Sequence, residues 1–237
     1  MKKFRHHYYN SLLKEADSNN GTVDHIDLSR SYLRELPDFF KDLYITSDFD
    51  VSENLLTSCK NFPKTLGGFA YINDNKISSL EGLRRLSSRI FDLTNNKLTS
   101  LEYFNELPLP RCKHMLFGIN QITSCKGLEM VLCEKLIMSN NEISSWEYLP
   151  KGILNQISFG NNKLTSWKGM PEGLKTLYVN GNWDVKDFED YKEVRDTLVF
   201  TTSHWNSRKE LTSVVIANHM RSKGITPPHD IFPGYQV

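Results

Sequence analysis

Phe91-Asp92-Leu93-Thr94-Asn95-Asn96-Lys97-Leu98-Thr99-Ser100-Leu101 is the stretch whose outline recurs along the chain. Its centre is Asn96, followed two residues later by the aliphatic Leu98. The same step occurs at Asn54 and Leu56, Asn75 and Ile77, Asn120 and Ile122, Asn141 and Ile143, and Asn162 and Leu164. Successive asparagines are separated by 21, 21, 24, 21 and 21 residues. A period of this size marks a solenoid of stacked units rather than a conventional globular core.

Working outward, apolar residues stand five and three positions before each asparagine. The pairs are Phe49/Val51, Ala70/Ile72, Phe91/Leu93, Met115/Phe117, Leu136/Met138 and Ile157/Phe159. Five positions after it come Cys59, Leu80, Leu101, Cys125, Trp146 and Trp167. The stretch before the asparagine has a period of two, which reads as a short strand with one face inward. A lone strand of this kind cannot bury its apolar face, whereas stacked copies form a parallel ladder around a continuous core. The asparagine amide can donate to and accept from backbone groups where the chain leaves the strand, so stacked copies can link neighbouring turns. Two weaker units extend the series. Ser31 takes the asparagine place after Val23, Ile26 and Leu28, and Asn182 follows Leu174, Leu177 and Val179 but has Asp184 where an aliphatic residue is expected.

The combined pattern resembles the leucine-rich repeat, in eight units over roughly residues 23–185. Phrases such as Asn95-Asn96-Lys97-Leu98-Thr99-Ser100-Leu101 and Asn161-Asn162-Lys163-Leu164-Thr165-Ser166-Trp167 resemble the short repeats of bacterial and phage proteins. The resemblance implies an α/β repeat solenoid with a parallel β-sheet on its concave face and extended or 3₁₀ segments on its convex side. Prolines 63, 108, 110, 150 and 171 fall in those convex segments, where backbone cannot continue a helix. The three extra residues of the unit holding Pro108 and Pro110 predict a convex bulge. Some bacterial effectors with such repeats carry a large C-terminal ubiquitin-ligase domain, for which this chain has no room.

Open stacks need covered ends. Residues 1–22 read as an N-terminal cap helix and residues 186–224 as a C-terminal helical cap, starting near Asp187 and ending at Gly224. Residues 225–237, with three prolines, read as an extended tail. A net charge of +1 gives no general electrostatic attraction to nucleic acid or membrane. No apolar run is long enough to span a bilayer. The four cysteines read as small buried thiols rather than a disulfide framework: Cys59 and Cys125 at core positions three units apart, Cys112 and Cys133 in adjacent units. Thiols and no leader suggest a cytoplasmic protein, or a virion component if the chain is phage-encoded.

Residues alternating with the core positions are expected on the concave side. Four before the asparagine the column reads Asp27, Asp50, Tyr71, Asp92, Leu116, Ile137, Ser158 and Tyr178. Six before, it reads His25, Asp48, Phe69, Ile90, His114, Lys135, Gln156 and Thr176. The first four units are therefore acidic, through Asp27, Asp48, Asp50, Glu53, Asp74 and Asp92, and from the fifth onward the face turns apolar and weakly basic. Leu116, Ile119 and Ile137 lie together where water is expected, and exposed apolar clusters mark contact sites. The candidate partner-binding set is Asp27, Asp48, Asp50, Phe69, Tyr71, Asp92, His114, Leu116, Ile119, Lys135, Ile137 and Tyr178, with the large apolar and aromatic members as anchors.

No catalytic, metal-ligating or phosphate-cradling motif stands out, so no enzyme activity and no cofactor are expected. His204, His219 and His229 read as surface or cap histidines, and Gly67-Gly68 as a turn. The basic residues Arg208, Lys209, Arg221 and Lys223 raise nucleic-acid binding as a different class of function, but they read better as a solvated helix face. The expected function is a non-enzymatic scaffold that binds a protein partner through the concave face. The alternative is a structural subunit of a phage particle or other assembly, held through its terminal segments.

Overall fold

The computed structural model describes residues 2–152, 154–165, 169–171, 176–179 and 182. The proposed C-terminal helical cap, the tail, Trp167 and the three C-terminal histidines lie outside these residues. The chain forms a parallel β-solenoid. Among the described residues its long sheet has eight strands stacked in sequence order: β2 (Ile26–Asp27), β4 (Phe49–Asp50), β6 (Phe69–Tyr71), β7 (Ser87–Asp92), β8 (Arg111–Leu116), β9 (Lys135–Ile137), β10 (Gln156–Ser158) and β11 (Thr176–Tyr178). Every pairing is parallel and in register with the repeat: Asp27 pairs with Asp50, Asp50 with Tyr71, Tyr71 with Asp92, Asp92 with Leu116, and Leu116 with Ile137.

A second, shorter parallel sheet precedes the first in each early turn. It comprises β1 (Thr22–Val23), β3 (Tyr44–Ile45) and β5 (Thr65–Leu66), and a bridge from Leu66 to Leu86 continues it. This sheet is a departure from the single sheet expected. Its strands are only two residues long, too short for a period-two pattern to stand out. In β7 and β8 the two stretches merge, and Ser87 and Ser88 pair with Arg111 and Cys112.

The asparagines behave as their chemistry requires. All seven from Asn54 to Asn182 are buried. Each side-chain oxygen accepts the backbone N–H two residues after the corresponding position of the previous turn, at 2.9–3.0 Å; the donors are Leu33, Leu56, Ile77, Leu98, Ile122, Ile143 and Leu164. Each amide nitrogen donates to a carbonyl three residues back and to one in the previous turn. For Asn96 these are Leu93 O and Ile72 O, both at 3.1 Å. Asn182 keeps its place in the ladder, donating to Val179 O and Phe159 O. Ser31 stands where the ladder begins, with no earlier solenoid turn for an amide to bridge.

Inside, one apolar column follows another. Phe49, Val51, Ala70, Ile72, Phe91, Leu93, Met115, Phe117, Leu136, Met138, Ile157 and Phe159 are all fully buried, as are Cys59, Leu101 and Cys125. Trp146 is buried too and stacks on Phe159 at 5.2 Å between ring centroids. On the side opposite the long sheet, two units are longer than the rest and carry 3₁₀ turns, Asp38–Asp42 and Glu102–Glu106. Their sequences match closely: Asp38-Phe39-Phe40-Lys41-Asp42-Leu43 and Glu102-Tyr103-Phe104-Asn105-Glu106-Leu107. In both, the central phenylalanine is buried, and its carbonyl accepts the N–H of the leucine that follows the turn. The predicted bulge at Pro108 and Pro110 is thus an inserted 3₁₀ turn whose Phe104 fills the core, with Leu109 left 64% exposed beyond it.

Helix α1 spans Lys2–Ser18 and buries Leu12 and Ala16. It stops at Asn20 and Gly21, both with positive φ, and Gly21 N–H closes the end by donating to Ala16 O at 2.8 Å. Tyr8 Oη accepts the Asp27 N–H and Glu15 Oε1 accepts the Asp24 N–H. The helix thereby satisfies two backbone donors beside the outermost strand of the long sheet, which would otherwise present an open edge.

Candidate partner-binding face

The long sheet gathers the predicted residues into columns. Asp27, Asp50, Tyr71, Asp92, Leu116, Ile137, Ser158 and Tyr178 pair in succession, and Phe69 lines up with Ile90, His114, Lys135 and Gln156. Asp48 sits one residue before β4, its Oδ1 accepting the Phe69 N–H at 3.4 Å. Phe69 and Tyr71, alternate residues of β6, stack with centroids 6.1 Å apart and planes 9° from parallel. They form a flat aromatic surface between acidic neighbours.

The acidic residues have a second occupation that the sequence did not suggest. Asp27, Asp50 and Asp92 each turn Oδ1 back to accept the backbone N–H two residues on, from Ser29, Ser52 and Thr94, at 2.8–3.0 Å. The Ser29 and Ser52 hydroxyls donate to the same oxygens. The signal is a repeated Asp-x-Ser/Thr, a spacing that favours an Asx-type turn. Burial raises the Asp92 carboxyl above its usual range, against the lowering effect of the Thr94 hydrogen bonds. His25 Nδ1 stands 3.9 Å from Asp48 Oδ2.

A further column lies directly before the ladder asparagines. Arg30, Glu53, Asp74, Asn95, Ile119, Asn140 and Asn161 all have φ between 52° and 59°. Left-handed backbone suits asparagine and aspartate, whose short polar side chains bond locally. Here they pair across turns. Arg30 Nε and Nη2 both donate to Glu53 Oε1, Asn95 Nδ2 donates to Asp74 Oδ1, and Asn161 Nδ2 donates to Asn140 Oδ1. Ile119 breaks this outer ladder. It is β-branched, apolar and 51% exposed, in a conformation that is an outlier for its type. Leu116 and Ile137, beside each other in β8 and β9, are half-buried by their neighbours, so Ile119 is the member of the apolar trio that stands clear.

The charge around this patch is mixed: Lys135 pairs with His114, Asp92 pairs with Leu116, and Glu134 stands 3.8 Å from Lys113. Burial lowers the pKa of His114, and the cations Lys135 and Lys113 push it further down. The four cysteines are buried free thiols. Burial pushes Cys112 and Cys133 up to about 12, so neither is poised as a nucleophile. Among the described residues no group of three histidine, cysteine or carboxylate side chains is placed to hold a metal ion. No described helix is long and apolar enough to cross a membrane.

No protein-family model matches this chain, and no curated protein matches it in sequence.

Proposed function

We propose that this chain is a non-enzymatic protein-interaction scaffold of the short leucine-rich-repeat type, binding a protein partner through the face of its long sheet. The observation that carries this reading is Ile119. A β-branched side chain in left-handed backbone costs on the order of 1–2 kcal/mol. The other residues of its column either are of types that bear the conformation more readily or, as Arg30 and Glu53 do, pair across turns. An exposed apolar group held at such a cost, three residues after Leu116, fits a contact surface. Phe69, Tyr71 and Tyr178 extend the apolar area along the sheet. Asp27, Asp48, Asp50 and Asp92 supply a negative region that would draw in a partner with a basic strip and raise its association rate. The period, the strand ladder and the asparagine pattern support the leucine-rich reading, with α1 as the N-terminal cap.

The test uses the tagged full-length protein isolated from its native source. Ile119→Asn should raise stability by about 1 kcal/mol, because asparagine tolerates the left-handed region. The same substitution should reduce recovery of the partner several-fold. Higher stability with undiminished partner recovery would remove Ile119, and the face with it, from the interface. It would leave assembly through the terminal segments as the better account.

A further inference from the structure

We propose that the corner between the two sheets carries a second binding site, a basic groove that accepts an extended acidic segment of a partner protein, with Arg89 and Arg111 as its principal ligands. The groove has a volume of about 490 Å³ and is lined by residues of five successive turns, from Thr46 to Glu134. At ~4.8 Å per stacked strand, five turns span roughly 19 Å, the length of about six extended residues. Its floor is made of small side chains, Gly67, Gly68, Ser87 and Ser88. The glycines are there for the backbone: a Cβ on Gly68 would lie 2.2 Å from Ser47 O, so the chains meet with no side chain between them. A low floor follows, open to an incoming main chain.

The walls are cationic. Arg89, Arg111 and Lys113 line the groove and all three are exposed. Among the described residues Arg89 and Arg111 have no carboxylate within 4.0 Å, a condition they share with Arg34, Arg84 and Arg85; what sets them apart is that both line this one groove from adjacent turns. Lys113 has only a 3.8 Å contact with Glu134, both half exposed, an interaction of little strength. Two guanidiniums left without carboxylates one turn apart, in a chain of net charge +1, form a local site rather than a general basic surface. Guanidinium is the group best shaped for bidentate carboxylate recognition.

Protein carboxylates suit this groove better than nucleic acid does. Its lining contains no aromatic side chain on which a base could stack. Leu132, 44% exposed at the far end, offers an apolar contact that a peptide side chain can use. This site is separate from Ile119 and its neighbours, so it stands or falls independently of the sheet-face proposal.

The experiment is fluorescence polarisation of a labelled octaglutamate peptide with the full-length protein, at low and moderate salt, beside octalysine and an oligothymidylate of equal length. Octaglutamate should bind in a salt-sensitive manner, and octalysine should not. Arg89→Ala with Arg111→Ala should weaken binding about 10-fold, the effect of losing two exposed charge-assisted contacts. Arg34→Ala, an exposed arginine outside the groove with no carboxylate in reach, should leave it unchanged. Ser87→Glu, which keeps both arginines and adds a charge to the floor, should weaken binding as well, and it serves if the double variant does not fold. Three results would each overturn the site: no octaglutamate binding, equal binding by all variants, or tighter binding of the oligothymidylate than of octaglutamate.

Discussion

Asn96 shows what a single side chain contributes. It is 1% exposed, and its amide connects two turns through one accepted and several donated hydrogen bonds. Asn96→Ala would leave the Ile77 N–H and the Leu93 and Ile72 carbonyls without this partner in a dry environment. It should cost about 3 kcal/mol or more, read as a lowered denaturation midpoint in urea. This role is legible in the amino-acid sequence, because few reasons other than bridging can make one amide recur with such regularity. The Asp-x-Ser/Thr turns are not, because aspartate on an exposed face has an ordinary explanation in solvation. Asp92 is the informative member. Its folded-state pKa is raised, so the native state holds a proton to higher pH than the unfolded chain does, and stability falls as pH rises through that range. Asp92→Asn keeps an oxygen to accept the Thr94 N–H and removes the charge. In urea titrations its stability should match the parent at low pH, then exceed it as the carboxylate range is passed.

At the scale of elements, the 21-residue units are legible in the sequence and the inserts only partly so. The extra length before Pro108 and Pro110 marks where an insert lies, but its content emerges only when Asp38–Asp42 is set beside Glu102–Glu106. Both turns place a phenylalanine inward between acidic residues, so each long unit plugs the core with its own insert rather than looping out. Phe104 is 1% exposed and packs edge-on against Phe91 and Phe117 at 6.3 and 5.9 Å between centroids. Phe104→Ala should therefore cost about 3–5 kcal/mol, whereas Leu109→Ser, five residues on but largely exposed, should stay within about 0.5 kcal/mol. Thermal melts of the two variants check the contrast. The short sheet is hidden in the sequence for a related reason. Two-residue strands such as Tyr44–Ile45 are defined by their neighbours in the stack, not by a pattern of their own.

For the whole molecule, the stack turns a one-dimensional repeat into surfaces with distinct chemistry. The long sheet runs from acidic at Asp27 and Asp50, through the aromatic pair Phe69 and Tyr71, to the apolar patch at Leu116 and Ile137. The corner beside it carries the arginine groove. Because each turn contacts mainly its neighbours, side chains on these surfaces can change without disturbing the core columns. That separation explains why the sequence indicates where a partner would sit and says little about its identity. Core and ladder positions are set by packing, whereas surface positions answer only to what they meet. The central claim is that the sheet face is the meeting place. Its most direct test is a cross-linking map, by mass spectrometry, of the natively isolated protein with whatever accompanies it. Intermolecular links at Lys135, which lies two residues before Ile137 in β9 and outside the groove, are the predicted result. Links confined to residues 1–20 and 200–237 would contradict it.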